Sequence, residues 1–404
     1  MPTFTDRVTL KAAGYVLRQF IEAKIERDLQ NIAGRFSVTC LDAQRLAQSL
    51  PAQIGQPPTI PVRLLAGHAC ELAIDGETVL LGWIDKVTGE WSGEHIRFRF
   101  EGRDKTGDLV ECAALPNGPS ELRNVDLLSA AKTVCQPFGI TPKADVDIGA
   151  PFRVLALYPH ETALSFLEKG ARQRAVLLVS DGVGGLLLTR GGSTRGPAPL
   201  RIGELIQDSE WHHDHAHRFS DYFVKGQTAP NRAGTAAPLT STAVPFGGTP
   251  PATPGPATAK EKAAVAMTGH AVDPEITRWR PTVRMVRSQS GMSSVQEQAE
   301  WALRVARGQA DHLEYTVLDW RANGALWRPN QVVPVWDPYA GVDRDMLIAG
   351  VTYEFSEKGA RTKLRLVGVT AYDRIDEAER RKHRHGHQTA QQQLTTAAAP
   401  IQAH

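Results

Sequence analysis

Phe36-Ser37-Val38-Thr39-Cys40-Leu41-Asp42 is the stretch on which the fold turns. Phe36, Val38 and Cys40 fall on one side of an extended chain, and Ser37, Thr39 and Leu41 on the other. That period of two marks an antiparallel strand with one buried face. The run returns late in the chain as Leu313-Glu314-Tyr315-Thr316-Val317-Leu318-Asp319. Three further pairs follow in the same order. Leu72-Ala73-Ile74-Asp75 parallels Pro334-Val335-Trp336-Asp337, and Leu80-Leu81-Gly82 parallels Ile348-Ala349-Gly350. Arg97-Phe98-Arg99-Phe100-Glu101-Gly102 parallels Lys363-Leu364-Arg365-Leu366-Val367-Gly368. One such pair carries little weight, because generic strands look alike. Four in one order point to duplication of a β module rather than coincidence.

Outward from that repeat, residues 1–114 read as an N-terminal β module. Ile96, Phe98 and Phe100 alternate with Arg97, Arg99 and Glu101, and Asp75-Gly76 is a hairpin turn between apolar runs. Residues 115–192 change to a small α/β domain. Asn124 or Asp126 caps a helix carrying Leu127, Leu128, Ala131 and Val134, which ends before Pro137 and Gly139. A second helix begins near Pro159, with Ala163, Leu164, Leu167 and Ala171 on one side. Val176–Val179 and Leu186–Leu188 flank the turn Asp181-Gly182-Val183-Gly184-Gly185. Residues 193–226 read as connecting strands of the C-terminal half. Residues 227–272, rich in Pro, Gly, Ala and Thr, read as a loop or linker. Residues 273–373 form the second β module with one inserted helix. There Ser294 and Glu297 make a capping box, Val295, Ala299, Ala302 and Ala306 the apolar stripe, and Gly308 the C-terminal stop. Residues 374–404 are a charged, then Gln- and Ala-rich tail. The fold class is α+β, mainly β.

Composition narrows the function. The 46 basic and 44 acidic side chains leave a net charge of +2, which argues against a dedicated nucleic-acid binder. Cys40, Cys70, Cys112 and Cys135 form no C-x-x-C pair and read as free thiols in a reducing compartment. Neither a signal peptide nor an 18-residue apolar run is found, so no membrane insertion is expected.

Candidate chemistry is sparse. In Trp211-His212-His213-Asp214-His215-Ala216-His217, a strand would put His213, His215 and His217 on one face as weak candidate metal ligands. The plainer reading is a solvated polar strand. His383-Arg384-His385-Gly386-His387 is a second weak candidate. His160-Glu161-Thr162-Ala163-Leu164 opens like a zincin helix but has Leu164 where the second His is required. Neither a G-x-S-x-G elbow nor a Walker A loop is present, and no cofactor is expected. Glu22 with Glu26, or Asp104 with Asp108, are the carboxylate pairs a glycoside hydrolase reading would use. Trp279, Trp301, Trp320, Trp327 and Trp336 crowd the last third, as core packing or as interface anchors.

From Gly102-Arg103-Asp104-Lys105-Thr106-Gly107-Asp108-Leu109-Val110-Glu111-Cys112 onward, the chain resembles the Mu-like phage tail baseplate hub proteins of the gpP type. These are related to the hub portion of VgrG spikes. Pro137-Phe138-Gly139-Ile140, Phe223-Val224-Lys225-Gly226-Gln227, Trp327-Arg328-Pro329-Asn330 and Leu347-Ile348-Ala349-Gly350-Val351 extend the resemblance over most of residues 1–373. It implies two tail-tube-like β-barrel modules with the α/β domain between them. It also implies a homotrimer that joins a sixfold tail tube to a threefold central spike, among other baseplate proteins. DNA would pass through its channel without specific binding, in a virion assembled in host cytoplasm. Arg97, Arg99, Lys363 and Arg365 are the candidates for the tube-facing or lumen-facing surface. The alternative is a tail-associated peptidoglycan hydrolase or cell-wall-binding protein.

Overall fold

The computed structural model describes residues 7–41, 64–92, 96–158, 160–227, 266–285 and 295–373. The first module has seven strands: β1 (Val8–Ala12), β2 (Tyr15–Leu17), β3 (Glu22–Asp28), β4 (Arg35–Leu41), β5 (Ala69–Ile74), β6 (Glu77–Trp91) and β7 (Ile96–Asp104). They pair in the order β3-β4-β7-β6-β5-β1-β2, antiparallel throughout. Asp75 and Gly76 take φ of 50° and 83° between β5 and β6. Both central positions of a two-residue hairpin need that left-handed backbone.

The α/β domain runs through α1 (Gly107–Glu111), β8 (Glu121–Val125), α2 (Leu127–Cys135), β9 (Thr141–Ala144), β10 (Phe152–Ala156), α3 (Ala163–Gln173), β11 (Leu177–Ser180) and β12 (Gly185–Thr189). Of the two caps considered for α2, Asp126 is the one used. Its carboxylate accepts the Ser129 N–H at 2.7 Å, while Asn124 sits at φ 49° in β8. The start of α3 is Thr162 rather than the neighbourhood of Pro159, because the Thr162 hydroxyl accepts the Ser165 N–H at 3.3 Å. Leu127, Val134, Phe166, Leu167, Leu186 and Leu188 form a core of this domain's own. β11 and β12 make the expected hairpin, and the Asp181 carboxylate accepts the N–H groups of Val183 and Gly185 at 2.8 Å each.

β13 (Thr194–Arg195), β14 (Leu200–Arg201) and β15 (Ile206–His213) lead into a separate compact unit, residues 218–303. Here β16 (Asp221–Gln227) pairs antiparallel with β17 (Ala266–Val272) and parallel with β18 (Pro281–Met285). The last seven residues of the stretch read as linker therefore form a strand. Arg218 is buried in this unit and donates to Asp273 at 2.8–3.0 Å and to Glu275 at 2.7 Å. Helix α4 spans Val295–Ala310, so the expected cap Ser294 lies outside the described residues. Gly308 does not stop the helix. It is an interior residue at a close approach, where an added Cβ would stand 2.5 Å from the Ala371 nitrogen.

The second module follows: β19 (Asp311–Leu318), β20 (Arg321–Ala322), β21 (Ala325–Leu326), β22 (Gln331–Asp337), β23 (Val342–Ser356) and β24 (Gly359–Gly368). Its strand order, β15-β19-β24-β23-β22, repeats β3-β4-β7-β6-β5 of the first module. The match extends to single residues. Phe36 pairs with Gly102, and Gly102 with Ile84; Leu313 pairs with Leu366, and Leu366 with Ile348. The ladder then slips by one residue in both long strands, between Ile84 and Lys86 and between Ile348 and Gly350. The bulges thus make Ile84 equivalent to Ile348 and Arg99 equivalent to Lys363. Equivalent pairs trade volume: Phe36 lies over Gly102, where an added Cβ would meet its ring at 2.7 Å, and the counterpart is Leu313 beside Leu366.

The modules do not stand apart. The second half of β23 pairs with β3, Gly350 opposite Asp28 through Phe355 opposite Ala23. Among the described residues one hydrogen-bonded sheet therefore runs through both modules. One apolar core backs it, holding Ile25, Val38, Leu80 and Phe100 of the first module with Tyr315, Val351, Tyr353 and Leu364 of the second.

Candidate functional site

The face of this sheet opposite the core is mostly polar, with Leu41 and Leu318 as apolar exceptions. Alternation puts Glu22, Lys24 and Glu26 of β3 on it, then Arg35 and Ser37 of β4 and Arg97, Arg99 and Glu101 of β7. On the far side of the seam come Thr352 and Glu354 of β23, Lys363 and Arg365 of β24, Glu314 of β19 and Glu210 of β15. Arg97, Arg99, Lys363 and Arg365 thus share one continuous face, although they come from two modules.

Charges on that face are paired. Arg99 lies 3.6 Å from Glu22, Arg97 3.7 Å from Glu90, Lys86 3.5 Å from Glu101 and Lys363 3.4 Å from Glu354. Arg365 bonds Asp28 across the seam, and Lys24 bonds Glu26, which holds the Lys24 ammonium above its usual range. Such exposed pairs contribute little to stability, typically about 0–1 kcal/mol each. Their effect is to neutralise the basic side chains locally.

The seam is the strongest contact between the modules. Tyr353 stands directly opposite Ile25, and both are fully buried. The Tyr353 hydroxyl donates to the Trp327 carbonyl. Burying each such side chain stabilises by about 1.5–3 kcal/mol. Away from the seam, an ion-pair network ties the β5–β6 turn to the second module. Arg321 reaches Asp75 at 3.4 Å and Glu77 at 2.8 Å, Arg328 also bonds Glu77, and Arg7 bridges Asp75 and Asp319 at 2.8 Å each.

The histidines are not brought together on one strand. β15 ends at His213, whose Nδ1 lies 2.9 Å from Asp311 and Nε2 3.1 Å from the Ala340 carbonyl. His215 and His217 fall in the turn that follows, because the chain leaves the sheet at Asp214. Among the described residues no group of three or more His, Cys, Asp or Glu is placed to hold a metal ion. His383, His385 and His387 lie outside the described residues. Glu161, of the incomplete zincin motif, instead holds Lys169 at 2.8 Å.

The carboxylate pairs also find other employment. Glu22 and Glu26 belong to the charged face. Asp104 is buried at the junction with the α/β domain, where it accepts from Ser180 Oγ and Thr106 Oγ1 at 2.6 Å each. Burial holds its carboxyl above the usual range. The tryptophans divide: Trp320 and Trp327 are core, whereas Trp279 and Trp336 are exposed. Sequence reasoning missed one feature, the exposed Trp211 on β15. Its signal was present, an aromatic at the core-facing position of an alternating strand.

Comparison with known proteins agrees with this architecture. Residues 7–104 match the N-terminal domain of Mu phage baseplate assembly protein GpP-like proteins. Residues 106–190 match the second domain of gp44-like baseplate hub proteins, and residues 291–374 the fourth domain of Mu phage GpP. The chain is 27% identical over 388 residues to the baseplate hub protein gp44 of Escherichia phage Mu, covering 95% of this chain and 93% of that one. The 43 kDa tail protein of prophage MuSo2 from Shewanella oneidensis superposes with a TM-score of 0.73 at 26% identity, over 91% of this chain and 99% of that one. The fold alone is shared with the E. coli c3393 protein, a type VI secretion component, at a TM-score of 0.50 and 9% identity, over 91% and 78% of the two chains. With these domains matched in order along its length, the chain belongs to the Mu-like phage baseplate hub family and is a component of the virion tail.

Proposed function

We propose that the chain acts as a homotrimer that adapts the sixfold tail tube to the threefold central spike and forms part of the DNA channel. The observation that carries this reading is the duplication: two modules with the same strand order and the same bulge stand side by side in one sheet. Two modules in each of three chains make six equivalent units, and a closed interface must match the symmetry of its partner. Tube protein, spike protein and other baseplate proteins are the partners this reading requires.

The charged face supports a role as the channel wall. Phosphate binding draws on Lys and Arg that release counterions from the nucleic acid. Here Arg97, Arg99, Lys363 and Arg365 each lie beside a carboxylate, so DNA would slide past without being held. The hub reading calls for no catalytic step.

The test is the solution mass of the purified chain, alone and with its spike partner. The expected result is three copies in the complex. A chain that stays monomeric in both conditions overturns the proposal.

A further inference from the structure

We infer that the copies join by adding β15 of one chain to the outer half of β6 of the next, in the register that β3 and β23 already use within the chain. This rests on the trimeric reading above and specifies its interface. The template is internal. In the second module, the part of β23 beyond its bulge pairs with β3 of the first module. The equivalent part of β6, from Lys86 onward, pairs only with β7 among the described residues. β15, the equivalent of β3, has β19 as its ladder partner, and among the described residues its second edge carries only a bridge from Ile206 to Ile202, at the end away from Glu210–His213. Among the described residues the sheet therefore ends in two largely unpaired edges, from Lys86 onward and along Glu210–His213, that match the two halves of its own seam. Exposed edges of this length are normally covered or blunted.

The register follows from the equivalences set by the bulges. Gly350 corresponds to Lys86 and Lys24 to Glu210. Thr88 then falls opposite His212, as Thr352 falls opposite Glu26. Gly89 falls opposite Trp211, as Tyr353 falls opposite Ile25. In the chain's own seam that pair is fully buried. At the open edge Trp211 is 40% exposed and Gly89 is exposed. A glycine opposite an indole leaves the room that a tyrosine opposite an isoleucine fills, so the two pairs trade volume across the same kind of joint. Glu90 falls opposite Glu210, and Arg97, 3.7 Å from Glu90, lies at hand to offset the two charges. Because edge and partner edge differ, the contact is head-to-tail and closes only as a ring.

Disulfide trapping in the full chain, in a Cys112→Ser background, tests the register. Thr88→Cys with His212→Cys places directly opposed residues within disulfide reach. Thr88→Cys with Glu210→Cys is a diagonal pair at about 7–8 Å, beyond easy reach. The opposed pair is expected to give covalent multimers at least about tenfold faster than the diagonal pair. Trp211→Glu is expected to keep the melting temperature of the lone chain and to abolish the trimer. A trimer by mass in which the opposed pair links no faster than the diagonal pair overturns the edge pairing and leaves the trimeric reading standing. A trimer that survives Trp211→Glu does the same. A chain that is monomeric with its spike partner overturns both.

Discussion

β3 and β15 hold the same place in two copies of one module, yet their surroundings are opposite. β3 has β4 on one side and β23 on the other, and Ile25 is 1% exposed. β15 has β19 on one side, and Trp211, at the equivalent position, is 40% exposed. The difference separates what stabilises the folded chain from what is left for assembly. A position buried in one copy and open in the other marks a surface that the fold has already shown how to cover.

The sealed seam can be broken most severely at its centre. Tyr353→Ala removes a buried ring and leaves the Trp327 carbonyl without its donor. The expected loss is about 3–5 kcal/mol, read as a shift of the denaturant midpoint. A loss below about 1 kcal/mol would mean that the seam contributes little to the lone chain.

The contrast between the two positions is sharpened by the same truncation at each. Ile25→Ala is expected to cost about 2–5 kcal/mol of folding stability in the isolated chain. Trp211→Ala is expected to fall within about 0.5 kcal/mol of the parent, as a surface change does. Parallel urea titrations of the two variants decide it. Equal costs would show that the modules are not energetically distinct at this position.

How much of this was legible in the sequence depends on the kind of information each residue carries. Alternation in Phe36–Leu41 and Leu313–Leu318 named two strands and their buried faces, and those two runs are in true register, Phe36 with Leu313. The later pairs were matched in the right order but slipped. Lys363 was set against Arg97, whereas the bulges set it against Arg99, and Ile348 was set against Leu80 rather than Ile84. An alternating pattern fits equally well at every even offset, so only the bulge fixes register, and a bulge has no side-chain signature. Since an even slip keeps every side chain on its face, Arg97, Arg99, Lys363 and Arg365 fall on one face of the sheet under either register. The joining of the modules through β3 and β23 was not legible, because pairing between strands so distant in the chain leaves no local trace. Gly308 misled for a similar reason: a close approach of α4 to Ala371 looks, in sequence, like a helix stop.

Across the seam the Asp28–Arg365 pair is a smaller lever. Asp28→Asn removes the charge and leaves the Arg365 guanidinium facing Gln30 at 3.1 Å. The side chains are 24% and 31% exposed, so screening limits the loss to about 0.5–1 kcal/mol. Raising ionic strength is expected to shrink the difference between the variant and its parent. A difference that is unchanged at high salt would assign the effect to packing instead.

A lever that acts only through pH lies in the second link between the modules, the network around the β5–β6 turn. Hydrogen bonding to Arg7 holds the Asp75 carboxyl below its usual range. Glu77 is pulled upward by burial, but Arg321 and Arg328 outweigh that and leave it lowered as well. A carboxylate whose folded pKa is depressed contributes stability above its ordinary pKa and loses it as pH falls through the depressed value. The contribution is therefore whole at neutral pH and fades below about pH 4, where the unfolded chain takes up protons that the folded chain resists. Because Asp75 and Glu77 are 29% and 38% exposed, the combined loss is about 1 kcal/mol after screening. Glu77→Gln is expected to remove part of that acid dependence while leaving the seam intact, so its stability curve meets that of the parent at low pH and lies below it at neutral pH. Curves that run parallel across the whole range would show that the network holds the modules by shape alone.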